Sequence, residues 1–247
     1  DTTVPADFTV GSVITTGGTV TAGKWNSTNT DIAVTVPLAN DGTLIGGTLQ
    51  IQASVASGLY ENLGGAHTIG GSEPNTSVTS SFDAATFEAL SGGISDGESI
   101  LFKAILTDKA GNAKLGTQSG TSIAFDQSVP AFSSVTPSTG SSVKVADVGY
   151  TLSEAIANGT VKYTQTAGSG SDGPHTVTLA VGELSAGARS LAALTNAPTL
   201  VSGLTYQIDF NGVDAAGNAA TEVSVTGIFF DTTVPADFTV GSVITTG

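Results

Sequence analysis

The sequence predicts an all-β protein built from two tandem antiparallel β-sandwich domains. Three observations carry that prediction. Residues Asp1–Gly17 recur without a change as Asp231–Gly247. A weaker copy of the same signal lies in the middle of the chain. Short runs of alternating Val, Ile and Leu are separated throughout by Gly, Asn and Pro, the pattern of half-buried strands joined by turns.

The exact repeat sets a period of 230 residues, since Asp231 follows Asp1 by 231 minus 1. Repetition of that kind belongs to an array of modules, and catalytic chemistry gives no reason for it. Within the period, Asp126-Gln127-Ser128-Val129-Pro130 echoes Asp1-Thr2-Thr3-Val4-Pro5. Asp108-Lys109-Ala110-Gly111-Asn112 likewise echoes Asp214-Ala215-Ala216-Gly217-Asn218. Aligning the second pair places Gly97 on Gly203, Ile100 on Tyr206 and Phe102 on Ile208. The expected domains are therefore 1–125 and 126–230, each of ordinary size, with 231–247 opening a further repeat.

In the first domain Ile32, Val34 and Val36 alternate with Ala33 and Thr35, and Leu49, Ile51 and Ala53 repeat the period of two. Further strands are expected at 8–14, 67–69, 77–82, 100–107 and 117–125. A short helix is expected at 83–90, where Phe87 and Leu90 lie three apart behind Ser81 and Asp83 as caps. In the second domain the strands are expected at 132–135, 148–152, 160–166, 175–181, 190–194, 205–213 and 222–230. Seven short strands without a long helix indicate sandwiches of immunoglobulin type. Trp25 is expected in the core or packed at a sheet edge.

Composition narrows the function. There are 21 acidic and seven basic residues, a formal charge of -14, which argues against nucleic acid as a partner because phosphate binding needs clustered Lys and Arg. Ten Phe and a hydrophobic content of 39% suffice for two cores, so this is no disordered acidic tail. Cysteine and methionine are both absent, which excludes disulfides and thiolate metal sites. The missing initiator methionine suggests an excerpt or processed product. No apolar stretch is long enough to cross a membrane as a helix and no leader opens the sequence, so secretion and anchoring are expected to reside outside this segment.

The carboxylates suggest where chemistry could occur. In an immunoglobulin sandwich the entering linker, the loop after the second strand and the last hairpin meet at one pole. In the second domain those places hold Asp126, Ser153-Glu154 and Asp214 with Asn218. The corresponding places in the first hold Asp1, Asn40-Asp41 and Asp108 with Asn112. Asp96 and Glu98 open a strand at the other pole of the first domain, and Asp231 repeats Asp1. Oxygen ligands without His or Cys suit a hard cation, and Ca²⁺ accepts six to eight of them. The competing reading is that Ala-Gly-Asn is a plain hairpin turn closed by Asp.

Taken together, the Asp-x-x-x-Pro linkers, the Ser-Glu after a second strand and the Asp-x-Ala-Gly-Asn hairpins resemble the bacterial immunoglobulin-like repeats of very large secreted surface proteins and adhesins. The resemblance covers nearly the whole chain. It implies extracellular stalk or extender modules at a cell surface, stiffened by calcium between domains, without catalytic activity and with copies of the same repeat as neighbours. The first domain departs from the pattern in having Pro37-Leu38-Ala39-Asn40-Asp41 in place of Ser-Glu. A binding module holding a glycan or protein partner is the alternative, with Tyr60 as its best candidate residue.

Other motifs lead nowhere chemical. Gly168-Ser169-Gly170-Ser171-Asp172-Gly173 has the letters of a dinucleotide loop, but Pro174 and a strand follow where a helix is required. His67 and His175 fall in different domains, too dispersed for a triad. Asn26, Asn75 and Asn158 stand in glycosylation sequons, unsurprising in a Ser- and Thr-rich chain. Phe238, Val240, Val243 and Ile244 of the repeated opening cannot order as a lone strand. They are expected to be held by the rest of a following domain or by a neighbouring chain's sheet edge.

Overall fold

A computed structural model of the chain describes residues 1–239 and 241. The backbone divides into two compact units. One comprises Asp1–Val129 with Asp214–Asn218, and the other Pro130–Val213 with Ala219–Gly247. The boundary thus falls between Val129 and Pro130, and the hairpin Asp214–Asn218, assigned from sequence to the second domain, groups with the first unit.

The first unit is a sandwich. One sheet has three antiparallel strands in the order Val13–Thr16, Asp31–Pro37 and Ser77–Asp83. The other runs Lys24–Trp25, Ile123–Phe125, Ser99–Thr107, Thr48–Val55 and Glu61–Asn62. His67–Thr68 and Ala113–Leu115 add to it at Thr48–Val55 and Ser99–Thr107. Pairing is antiparallel apart from Lys24–Trp25, which runs parallel to Ile123–Phe125. Ile32, Val34 and Val36 join Leu49, Ile51 and Ala53 in one buried hydrophobic core. The period of two in the sequence becomes one buried face of each strand.

The expected short helix is present at Ala84–Glu88, capped by Asp83, whose carboxylate accepts from the Thr86 N–H. Ser81, the other candidate, makes no cap. The helix closes the core by burying Phe87 completely, with its ring centroid 4.6 Å from that of Trp25 and 6.4 Å from that of Phe102. Burying such a ring contributes about 1.5–3 kcal/mol. Trp25 is itself fully buried and donates its indole N–H to Glu88 Oε1 at 3.0 Å. Its core role follows, and its polar edge is satisfied.

The second unit repeats the plan. Phe132–Thr136, Val148–Leu152 and Gly187–Ala192 form one sheet. Ser142–Val143, Val223–Phe230, Leu204–Val213, Asn158–Ala167 and His175–Thr178 form the other. Here too the first strand of the larger sheet lies parallel to its neighbour, Val143 opposite Phe230. Phe132, Tyr150 and Phe210 meet at the centre with ring centroids 5.4–6.0 Å apart. Buried Glu183 is held by the Ala180 and Thr195 N–H groups at 2.8 Å and by Arg189 at 3.4 Å. The Gly168–Gly173 loop joins Asn158–Ala167 to His175–Thr178 as a hairpin, so no nucleotide-binding helix follows it.

Some expected strands are shorter. Of 117–125 only Ile123–Phe125 pairs regularly; Ser119 still donates its N–H to the Phe102 carbonyl at 2.8 Å, but the Phe102 N–H returns to the Ser119 hydroxyl, which itself donates to the Thr121 carbonyl. Of 8–14, Val13–Thr16 is the strand, with Thr9 in a single bridge to Thr117. The edge strands Glu61–Asn62 and Ser142–Val143, two residues each, gave no alternating signal.

The repeated opening differs between its two occurrences. Phe8 packs partly buried against the first core, whereas Phe238 is 87% exposed. Val240, Val243 and Ile244 lie outside the described residues.

Candidate metal-binding site

Three linker aspartates have the same local geometry. Asp1 Oδ1 accepts from the Thr3 N–H at 2.8 Å, Asp126 Oδ1 from Ser128 at 3.2 Å, and Asp231 Oδ1 from Thr233 at 2.8 Å. An aspartate that captures the amide two residues on fixes a turn and directs the chain into the following strand. Both hairpins are likewise built alike. Asp108 and Asp214 each accept their own Asn through backbone and side chain, with Asn112 Nδ2 on Asp108 Oδ2 and Asn218 Nδ2 on Asp214 Oδ2 at 2.8 Å. Asp214 Oδ1 additionally takes the N–H groups of Ala216, Gly217 and Asn218 at 2.7–2.9 Å. The Asn112 bonds hold the Asp108 carboxyl below its ordinary pKa, against burial.

The two Asn side chains then perform the same task. Asn112 Nδ2 donates to the Asp1 carbonyl at 3.3 Å, and Asn218 Nδ2 donates to the Asp126 carbonyl at 3.0 Å. Each hairpin thus grips a linker by its main chain. Within the first unit Asp1, Gly42, Thr43 and the tip Lys109-Ala110 line one surface cleft. Asp41 caps the following turn, accepting from the Thr43 N–H at 2.9 Å.

Asp126 has the unbalanced electrostatics. It is half-buried, and an oxygen of its carboxylate lies within 4.8 Å of one from Asp214. Among the described residues the hydrogen bond to its carboxylate comes from Ser128 alone. Burial, then the charges of Asp214 and Asp96, push its pKa up, while Ser128 and Lys24 pull it down less. A carboxylate raised by like charges favours a cation beside it. The donor set, oxygen without imidazole or thiolate, is that of a hard ion.

The other expected ligands are occupied differently. Asp96 accepts from the Gln127 N–H and the Ser128 hydroxyl, both at 2.6 Å, and Glu98 accepts from the Ser95 N–H at 2.7 Å. Both act as turn and linker acceptors. Asn218 Oδ1 accepts from the Ser27 N–H at 2.8 Å, so both ends of that amide serve as a strut. Asp231 accepts from Thr233, and the bonds to Thr233 hold its pKa down. Glu154 lies half-buried in the second unit, just beyond the strand Val148–Leu152.

Sequence reasoning missed the bed on which the hairpin rests. Asn26 is fully buried, and its Nδ2 donates to the carbonyls of Thr19 (2.7 Å) and Ala216 (2.8 Å). Asn29 orders the same loop through Gly17 and Thr19. As a sequon Asn26 is inaccessible in this fold. The available signal was Asn26-x-x-Asn29 beside Gly17-Gly18, a loop whose amides must satisfy a buried backbone.

No family model matches the chain, and no curated protein does. Among solved structures it is similar to the FN1–FN3 domains of chicken CNTN1, at 10% identity and a TM-score of 0.37 over 92% of this chain. It is also similar to the fibronectin(III)-like modules of Clostridium thermocellum CbhA, at 14% identity and a TM-score of 0.37 over 84% of this chain. The chain spans 65% of the length of the first and 88% of the second. At such scores the likeness carries no weight of its own, and the strand pairing establishes the β-sandwich. Among the described residues no helix is long and apolar enough to cross a membrane.

Proposed function

We propose that the chain is a structural repeat of a giant extracellular cell-surface protein, forming a calcium-stiffened stalk, filament or sheath. The observation that carries this reading is a linking device built twice, in which an Asp-x-Ala-Gly-Asn hairpin holds the carbonyl of a linker aspartate through its Asn. An exact seventeen-residue repeat supplies a third linker of the same form at Asp231. Asp126 and Asp214 are assigned to Ca²⁺, and Asn218 positions Asp214. The ion would neutralise the repulsion on Asp126 and tie the linker to the hairpin.

The binding-module alternative gains little support. Trp25, Tyr150, Tyr163 and Tyr206 are all buried. Tyr60 donates its hydroxyl to Gln118 at 2.7 Å, and its ring carries Lys103 Nζ at 4.4 Å. A ring with a cation on one face has at most the other to offer a sugar. The test has two arms. Calorimetric titration with CaCl₂ is expected to show binding that Asp214→Ala removes, and a glycan array is expected to show none. Array hits competed by Tyr60→Ala would replace the stalk by the binding reading.

A further inference from the structure

The first unit contains a bed with a hairpin in it, and the second contains the corresponding bed open. In the first unit Asp126 N–H donates to the Trp25 carbonyl at 2.9 Å. In the second, Asp231 N–H donates to the Val143 carbonyl at the same distance. The neighbouring bonds agree, with Ala124 to Gly23 matching Phe229 to Ser141, and Gly97 to Phe125 matching Gly203 to Phe230. This register puts Lys144 at the place of Asn26 and Val145 at the place of Ser27.

The two beds differ in what covers them. Asn26 is 0% exposed and donates to the Ala216 carbonyl, while the Ser27 N–H reaches Asn218 Oδ1. Lys144 is exposed, Val145 is 49% exposed, and together with Val143 and Asp231 they line an open recess. The hairpins differ in the complementary way. Ala216, Gly217 and Asn218 are buried, whereas Ala110 and Gly111 are exposed and Asn112 is half-buried. A Cβ on Gly217 would meet Thr21, Asn26 and Thr19 at 2.8–3.0 Å, whereas one on Gly111 would meet nothing. Both glycines have the same left-handed backbone, φ +98 and +95.

One chain therefore carries an uncovered bed and an uncovered hairpin of matching register. We propose that the recess at Lys144 and Val145 docks the Asp108–Asn112 hairpin of a second copy of this chain, the copy that opens at Asp231. The Val145 N–H then donates to Asn112 Oδ1, and Lys144 Nζ reaches the Ala110 carbonyl in the role of Asn26 Nδ2. The occupant follows from the repeat, because Asp231–Gly247 is identical to Asp1–Gly17. In the first unit the residue that holds the Asp1 carbonyl is Asn112 of this same hairpin. This inference rests on the tandem-array reading.

The test uses a polypeptide of two consecutive periods, in a chain that has no cysteine of its own. Lys144→Cys in the first period is paired with Ala110→Cys in the second and treated with a short bis-maleimide. The control pairs Lys144→Cys with Leu59→Cys in the second period, a site 91% exposed and away from the hairpin. Docking predicts that the first pair cross-links about tenfold faster than the control, since a seated loop raises effective concentration beyond that of the tether. Equal rates would overturn the docking. They would leave the array reading standing, because that reading is decided by the solution length of the unsubstituted two-period chain.

Discussion

Replacing Asp126 by Asn should reverse the order of stability depending on calcium. In the absence of metal, Asp126 is half-buried with an oxygen within 4.8 Å of one from Asp214. At that distance two unit charges repel by about 0.9 kcal/mol in water and about 3.5 kcal/mol at an effective dielectric of about 20. Partial exposure puts the pair near the lower figure, roughly 1 kcal/mol. Because Asp126 has a folded pKa raised above its unfolded value, its charged form destabilises the fold at neutral pH. The metal-free protein therefore gains stability as pH falls through that pKa. Asp126→Asn keeps the acceptor for Ser128 and removes the charge, so in EGTA it should melt about 2–4 °C above the parent. At calcium a hundredfold above the dissociation constant the parent gains about 2.7 kcal/mol, and a variant binding a hundredfold more weakly gains about 0.4 kcal/mol. The parent should then melt higher. Thermal melts of both proteins in EGTA and in CaCl₂ test this, and a variant that ranks the same in both buffers would refute the charge-pair argument.

The remaining predictions concern the hairpins and cores. Asn218→Ala strands the part-buried Ser27 N–H and Asp126 carbonyl together with the buried Asp214 carboxylate and should cost about 1–3 kcal/mol in urea melts, whereas Asn112→Ala at its half-buried counterpart should cost under about 1 kcal/mol. Phe87→Ala, which opens a cavity against Trp25 and Phe102, should cost about 3–5 kcal/mol. For Glu183, burial raises the pKa, but the Ala180 and Thr195 bonds and Arg189 outweigh it and hold the carboxyl low. Its stabilisation is present above the ordinary glutamate range and is lost as pH falls through the depressed value. Glu183→Gln should accordingly flatten the acid limb of a stability–pH profile.

Much of this was legible in the sequence for an identifiable reason. Where one face of a strand is buried, as at Ile32, Val34 and Val36, side-chain alternation records it. The cap at Asp83 and the Asp–Asn hairpins were legible because few residue types make those bonds. Two-residue edge strands left no period to detect. The role of Asn218 was hidden for another reason: its partners Ser27 and Asp126 are 191 and 92 residues away, and local pattern holds no information about them. The bed at Asn26 was hidden likewise, since a buried polar loop reads in sequence like an exposed one.

If the chain is one period of a calcium-stiffened array, as proposed, the length of two joined periods in solution decides it. Small-angle X-ray scattering of the two-period polypeptide in CaCl₂ should show a maximum dimension close to twice that of one period. Adding EGTA should shorten and broaden the distance distribution as the linkers loosen. A two-period chain whose maximum dimension matches that of a single period, or whose profile is the same with and without calcium, would contradict the account.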